Sequence, residues 1–174
     1  MILHFIYTLF AVGVLYAFRR SLVNAKSYRF YVFWGMESLL LLVSINLKWW
    51  FVNVWSARQI ASFAFLILSA VMVLSALYAQ RIYGKPIEKL VSYPHLITRG
   101  IYGYVRHPLF SSLLLLTMGV SLKHQSFFSL ILTAMSVAAF VTAGFCEERE
   151  NRDIFADVYG SYKKVTKMFI PFVI

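Results

Sequence analysis

Five apolar runs, each set off by short polar or basic segments, leave this chain few ways to fold. They cover residues 2–18, 30–47, 60–78, 109–122 and 127–145. In hydrocarbon every backbone amide and carbonyl needs a partner inside its own segment, so each run is expected to be a helix. The chain is 60% hydrophobic and 14% charged. A soluble domain of that composition would lack the polar residues to cover its surface, so a bilayer is the expected solvent. The fold class expected is all-α: a polytopic membrane protein with five transmembrane helices in one domain, 1–174. The fourth helix is short and forms a hairpin with the fifth.

Crossing a bilayer takes about 20 residues, so the fourth run, at 14, could instead turn back. Basic residues arbitrate. With five spans, three of the 17 Lys and Arg residues (Lys48, Arg58 and Lys123) fall on one side and the rest on the other. A re-entrant fourth run would even the distribution to ten against seven. The positive-inside bias therefore favours five spans, with the N-terminus outside and the C-terminus cytosolic. A bacterial or archaeal cytoplasmic membrane is the expected location. The first run has no basic leader and no small-residue cleavage site, so it is expected as a retained anchor.

The same clustering explains the net charge of +10 without a nucleic-acid partner, because the basic residues flank apolar runs. One cysteine, Cys146, excludes an internal disulfide framework and cysteine-rich metal sites, and no metal is expected. Trp49, Trp50 and Trp55 fit an interfacial aromatic belt. Ala134, Ala138, Ala139 and Ala143 have small-xxx-small spacing, which suits close packing against the fourth span and also allows a homodimer. Glu37, inside the second span, is either functional or hydrogen-bonded to a neighbouring helix, as is Asn46.

After the fifth run, Ile154, Phe155, Val158, Tyr159, Tyr162 and Val165 recur at helical spacing. The spacing predicts a cytosolic amphipathic helix, weakened at Gly160 and ended by Pro171. It either packs on the helix ends or roofs a site.

Two polar signals stand at opposite ends of the expected hairpin: Arg106-His107-Pro108 and Glu147-Glu148. His107 lies 17 residues before the turn near His124, and Glu147 lies 23 after it. At 1.5 Å per residue their heights differ by roughly 9 Å, within reach of one ligand. Proline suits the first turn of a helix, whose free amides and partial positive charge attract an anion. Arg106 adds a fixed charge, His107 donates or accepts, and the two glutamates accept from hydroxyls or an ammonium. A ligand with a carboxylate, an amine and ribose hydroxyls matches that set.

The stretch Thr98-Arg99-Gly100-Ile101-Tyr102-Gly103-Tyr104-Val105-Arg106-His107-Pro108-Leu109-Phe110 resembles the G-x-Y-x-x-x-R-H-P-x-Y motif of the isoprenylcysteine carboxyl methyltransferases. Phospholipid methyltransferases share that family's C-terminal architecture. Glu147-Glu148, Phe155-Ala156, Tyr159, Tyr162 and Pro171 resemble its second motif. The resemblance covers about the last 80 residues. It implies S-adenosylmethionine as cofactor, bound between elements 98–110 and 147–171. Tyr102, Arg106, His107, Pro108 and Phe110 would hold the methionine end, and Glu147 and Glu148 the ribose or amino group.

Several positions depart from the pattern. Phe110 replaces a tyrosine, Ser112 stands at a usually small residue, Asn151 replaces a leucine, Ala156 a glycine and Met168 an arginine.

The resemblance also implies a lipophilic acceptor and membrane lipid as partners, a prenylcysteine-type carboxylate first and phospholipid N-methylation as the alternative. Arg106 would orient an acceptor carboxylate. An amine acceptor needs a base, for which Glu37 or a tyrosine is the candidate. From another class, a non-catalytic protein binding haem, quinone or a partner is the rival. His4 and His124 fall at one side and His95 and His107 at the other, which disfavours bis-histidine haem.

Overall fold

The computed structural model describes residues 2–19, 24–84 and 96–170, with side chains from Thr8 onward. His95, Pro171, Arg20, Lys85 and Lys89 lie outside the described residues. Five helices follow in order: α1 (Ile2–Phe18), α2 (Tyr28–Asn46), α3 (Ala57–Tyr83), α4 (Pro108–Ser121) and α5 (Phe127–Val165). Short 3-10 turns occupy Leu47–Trp49 and Gly100–Gly103. No strand occurs among the described residues; one parallel backbone bridge joins Val105 to Lys167.

Local chemistry accounts for the helix starts. Ser56 and Ser126 accept from the amides of Gln59 and Ser129 at 3.4 and 3.1 Å, satisfying first-turn donors of α3 and α5. Pro108 stands in the first turn of α4, where its missing amide costs nothing. The Tyr28 amide at the start of α2 is met from far along the chain, by Glu150 Oε1 at 3.1 Å.

Among the described residues three helical stretches are long and apolar enough to cross a bilayer: Tyr28–Trp49, Ala57–Tyr83 and Phe127–Val165. α1 and α4 are shorter apolar helices. Leu68, Val71, Leu74, Leu130 and Ile131 are outward-facing and exposed, as lipid-facing residues are.

Inside the bundle, small polar side chains tie helix to helix. Ser62 donates to the Gly119 carbonyl at 2.6 Å, and Ser69 donates to that of Ser112 at 2.7 Å. Asn46 donates to the Val120 carbonyl at 3.1 Å and accepts from Ser129 at 3.0 Å, linking α2, α4 and α5. Such bonds hold helices together where hydrocarbon gives no hydrophobic drive. Gly35 lets α2 and α5 approach, since a Cβ there would stand 2.7 Å from the Phe140 ring.

The packing differs from the expected hairpin. α5 lies chiefly against α2, and α4 chiefly against α3, with a smaller α4–α5 contact. Ala143 is buried against Phe110, Met168 and Phe169, whereas Ala134 and Ala138 are exposed. Spacing alone placed the stripe; it did not say which helix the stripe meets. The tail also differs. It continues α5 without a gap and breaks at Ala156 (φ 45, ψ −123), while Gly160 lies within helix.

The tryptophan cluster divides. Trp55 is exposed, but Trp49 stacks on His124 with centroids 4.3 Å apart, and both Trp49 and Trp50 bury their ring nitrogens. Lys123 is fully buried beside them. Its ammonium donates to Gln59 Oε1 at 3.0 Å and sits 3.3 Å from the Phe63 ring centre.

Candidate functional site

At the opposite end from Lys123, the loop before α4 and the tail of α5 are stitched together through the backbone. The amides of Arg106 and His107 donate to the carbonyls of Lys167 and Met168 at 2.8 and 3.1 Å. The Lys167 amide returns to the Tyr104 carbonyl at 3.0 Å. Ser111 Oγ donates to the Phe169 carbonyl at 2.7 Å, and the Tyr162 hydroxyl to the Tyr102 carbonyl at 2.6 Å. Gly100 starts the 3-10 turn of this loop at φ 65, and a Cβ there would lie 3.2 Å from that of Ala79. Conformation and space both call for glycine.

Side chains complete the clamp. Arg106 Nε donates to Glu148 Oε1 at 2.6 Å, and Arg106 Nη1 to the Thr166 carbonyl at 2.5 Å. Lys163 donates to Glu148 Oε2 at 2.5 Å. Burial opposes charge on Glu148, but the neighbouring His107 and the hydrogen bonds from Lys163 and Arg106 outweigh it and hold its carboxyl down to about 2. His107 Nδ1 meets Glu147 Oε2 at 2.7 Å. Burial pulls the imidazole down, yet the hydrogen bond to Glu147 and the nearby Glu148 carboxylate prevail and raise it above its ordinary value. His107 Nε2 is buried without a hydrogen bond, 3.8 Å from Glu148.

These elements enclose a cavity of about 390 Å³. Its wall includes Tyr102, Arg106, His107, Pro108 and Phe110 from the loop and α4, with Glu147, Asn151, Phe155, Tyr159 and Tyr162 from α5. The first turn of α4 faces it through Leu109 and Phe110. Burial pushes the Tyr102 and Tyr159 phenols up to about 12, so both stay protonated donors near neutral pH.

The structure thus gathers Tyr102, Arg106, His107, Pro108, Phe110 and Glu147 around one space. Glu148 is beside them but turned into the clamp, and it does not line the cavity. Glu37 is not brought to it: nine residues along α2 from Tyr28, it is roughly 13 Å away along the helix axis. Tyr28 and Gln80 also line the cavity, and the sequence reading missed both. Gln80 donates to the Tyr102 hydroxyl at 2.8 Å. A polar residue in the last turns of an apolar span was the available signal for Gln80. For Tyr28, which contacts the Phe110 ring at 6.5 Å between centroids, only tertiary packing tells.

The motif departures are accommodated. Phe110 and Met168 belong to one buried apolar cluster. Asn151 lines the cavity. Ala156 occupies a positive-φ break of the sort that favours glycine.

Compared with known proteins, the sequence model of the phospholipid methyltransferase family matches residues 57–158, more than half of the chain. The chain belongs to the phospholipid methyltransferase family. The matched region runs from α3 through the Arg106 loop, α4 and both glutamates, and so contains most of the cavity wall. No curated protein and no solved structure matches. Family membership and the apolar helices together make this an integral membrane protein of a methyltransferase family.

Proposed function

We propose that this family member is an S-adenosylmethionine-dependent methyltransferase acting on a lipophilic acceptor, with the 390 Å³ cavity as its donor site at the cytosolic face. One observation carries the reading: the Arg106 loop and the α5 tail close around a space walled by Glu147, four tyrosines and the first turn of α4.

The residues fit the donor. The volume lies within the range of small-molecule sites, which is about 300–1,000 Å³. The first-turn amides of α4 suit its carboxylate, and Glu147 suits its ammonium or ribose hydroxyls. Phe155, Tyr28 and Tyr159 offer aromatic faces to an adenine or a cation. When bound, the donor supplies an electrophilic methyl group on a sulfonium. The chain's own contribution is alignment and exclusion of water: the clamp fixes the loop against the tail, and Tyr159 and Tyr162 cover the space.

Two acceptor chemistries follow from the family. A prenylcysteine-type carboxylate needs a cation to orient it. Among the described residues Arg106 is the one Lys or Arg lining the cavity, and its guanidinium is already engaged by Glu148 and the Thr166 carbonyl. An amine acceptor, as in phospholipid N-methylation, needs a group to take its proton. Tyr102 and Tyr159 stay protonated, whereas the Glu147 carboxylate, hydrogen-bonded to His107, faces the cavity. Glu147 replaces Glu37 as the candidate base, and this favours the amine.

The test is to incubate the purified protein with a membrane lipid extract and methyl-labelled donor, and to follow label into the lipid phase. Label in an amine-bearing lipid is the expected result. No transfer from a folded, donor-binding protein to any lipid fraction would overturn the enzymatic reading.

A further inference from the structure

Beyond the Ala156 break, residues 157–165 form the helix that covers the donor cavity, and one flank of it is apolar and open. Val158 is 65% and Val165 78% exposed, whereas Tyr159 and Tyr162 are buried. Seven residues apart, the two valines point within about 20° of each other. They stand about 80° round the helix from the tyrosine pair, and Gly160 and Lys164 stand about 150° from it. The tyrosines therefore face the bundle end, Gly160, Lys164 and Asp157 face away from it, and the valines project sideways. The opposite flank is taken by Lys163, which donates to Glu148 Oε2.

This helix is held at the membrane boundary from both ends. Before it, α5 leaves the bundle without interruption. After it, Met168 and Phe169 return to the bundle, in one buried cluster with Phe110 and Ala143. The fit is tight, since a Cβ on Gly144 would stand 2.6 Å from the Phe169 ring. The amides of Arg106 and His107 fasten the same strap through its carbonyls. A sideways flank on a helix so tethered adjoins lipid, and an apolar flank below a basic edge is the pattern of a helix lying in the interface.

Charge selects the lipid. Lys164 and, in the strap, Lys167 are exposed, and among the described residues neither forms an ion pair. Asp157 is the one acid in 157–170, so the two free lysines leave this surface net positive. Their long stems let the ammonium groups reach a plane of phosphates while the valines sit beneath it.

We propose that this helix docks on the leaflet adjoining the donor site, with Val158 and Val165 in the headgroup–acyl boundary and Lys164 and Lys167 on anionic lipid phosphates. Tyr159 and Tyr162, on the neighbouring face, cover the donor cavity, so an anionic leaflet holds that cover down. Donor affinity then rises with the negative charge of the membrane. The docking surface stands independently of the methyltransferase reading; its effect on donor affinity rests on that reading.

The experiment places the full-length protein in nanodiscs of phosphatidylcholine, alone or mixed with phosphatidylglycerol. Spin labels go on Val165→Cys and, separately, Gly160→Cys, each in a Cys146→Ser background with a cooperative melt. Relaxation by oxygen reports lipid, and relaxation by a water-soluble nickel chelate reports water. The label at 165 should favour oxygen, more so with phosphatidylglycerol, and the label at 160 should favour nickel. The Lys164→Gln/Lys167→Gln pair should abolish the phosphatidylglycerol increment. In the unlabelled protein, S-adenosylhomocysteine should bind roughly fivefold more tightly with phosphatidylglycerol, one lysine's worth of attraction to an anionic surface. The paired variant should lose that gain and keep its affinity in phosphatidylcholine within twofold.

A label at 165 that favours nickel as strongly as the label at 160 overturns the docking. So does a label shielded from both reagents, which would mean a second copy or another protein on the flank. Affinity and label depth that ignore phosphatidylglycerol overturn the lipid selectivity. If the wild type binds no S-adenosylhomocysteine in either nanodisc, the donor reading fails, and the labels alone decide the docking surface.

Discussion

Arg106 and Glu148, 42 residues apart in the chain, meet at 2.6 Å with both side chains almost fully buried. Lys163 reaches the second oxygen of the same carboxylate. This one carboxylate therefore joins the loop before α4, the body of α5 and the helix beyond the Ala156 break. The adjacent Glu147 is left to face the cavity with His107.

Glu148→Gln should consequently behave as a stability variant. It leaves two cations facing a neutral amide, and breaking a buried pair from one side costs about 3 kcal/mol or more. Glu147, part-exposed, should cost little stability when changed to Gln but should weaken donor binding. Thermal melts in detergent, paired with S-adenosylhomocysteine titrations, would separate the two; equal stability losses would reject the division of labour.

Stability should fall on the alkaline side. His107 is raised above its ordinary 6.5, so its pairing contributes fully below that pH and is lost as pH rises through the folded value. Glu148, ordinarily 4.5, is held down to about 2, so its contribution fades only as pH drops from about 4.5 toward that value. Melting midpoints measured from pH 5 to 9 should decline above neutrality. In His107→Gln that slope should flatten, and a slope that persists unchanged would contradict the pairing.

Ala156→Gly should stabilise the protein by about 1 kcal/mol, because glycine removes the penalty of a positive φ. If α5 ran straight through this residue, the same change would cost about 1 kcal/mol instead. The sign of the shift in melting midpoint decides between the two geometries.

Lys123→Met removes a buried ammonium from the Phe63 ring and strands Gln59 Oε1. The expected loss is about 1–3 kcal/mol, with donor affinity unchanged at the other end of the bundle. In intact protein an amine-reactive reagent should modify exposed Lys48 and spare Lys123. Equal labelling of both would show that the cage is open.

The helices from α2 to α5 were legible in the sequence because apolar runs in lipid have one economical conformation, and their starts came within a few residues, whereas α5 runs on to Val165, well past the end of its apolar run. The meeting of the Arg106 loop with Glu147 and Glu148 was legible from the charge-derived topology and helical rise together, although the helices pack differently from the expected hairpin. Which glutamate faces the cavity was not, since consecutive helical residues point about 100° apart and periodicity carries no absolute direction. The 166–169 strap was hidden too, because its backbone bonds do not depend on side-chain identity. Tyr28 and Gln80 arrive from helices whose apolar patterns say nothing about their neighbours. Lys123 looked like a boundary charge because burial with carbonyl and aromatic partners leaves no sequence signature.

Calorimetric titration of the folded wild-type protein with S-adenosylhomocysteine tests the donor site most directly, with Glu147→Gln and Lys123→Met alongside. The site described here predicts saturable binding by the wild type, at least tenfold weaker binding by Glu147→Gln, and unchanged affinity in Lys123→Met. No binding by folded wild type would contradict it, as would full-strength binding by Glu147→Gln.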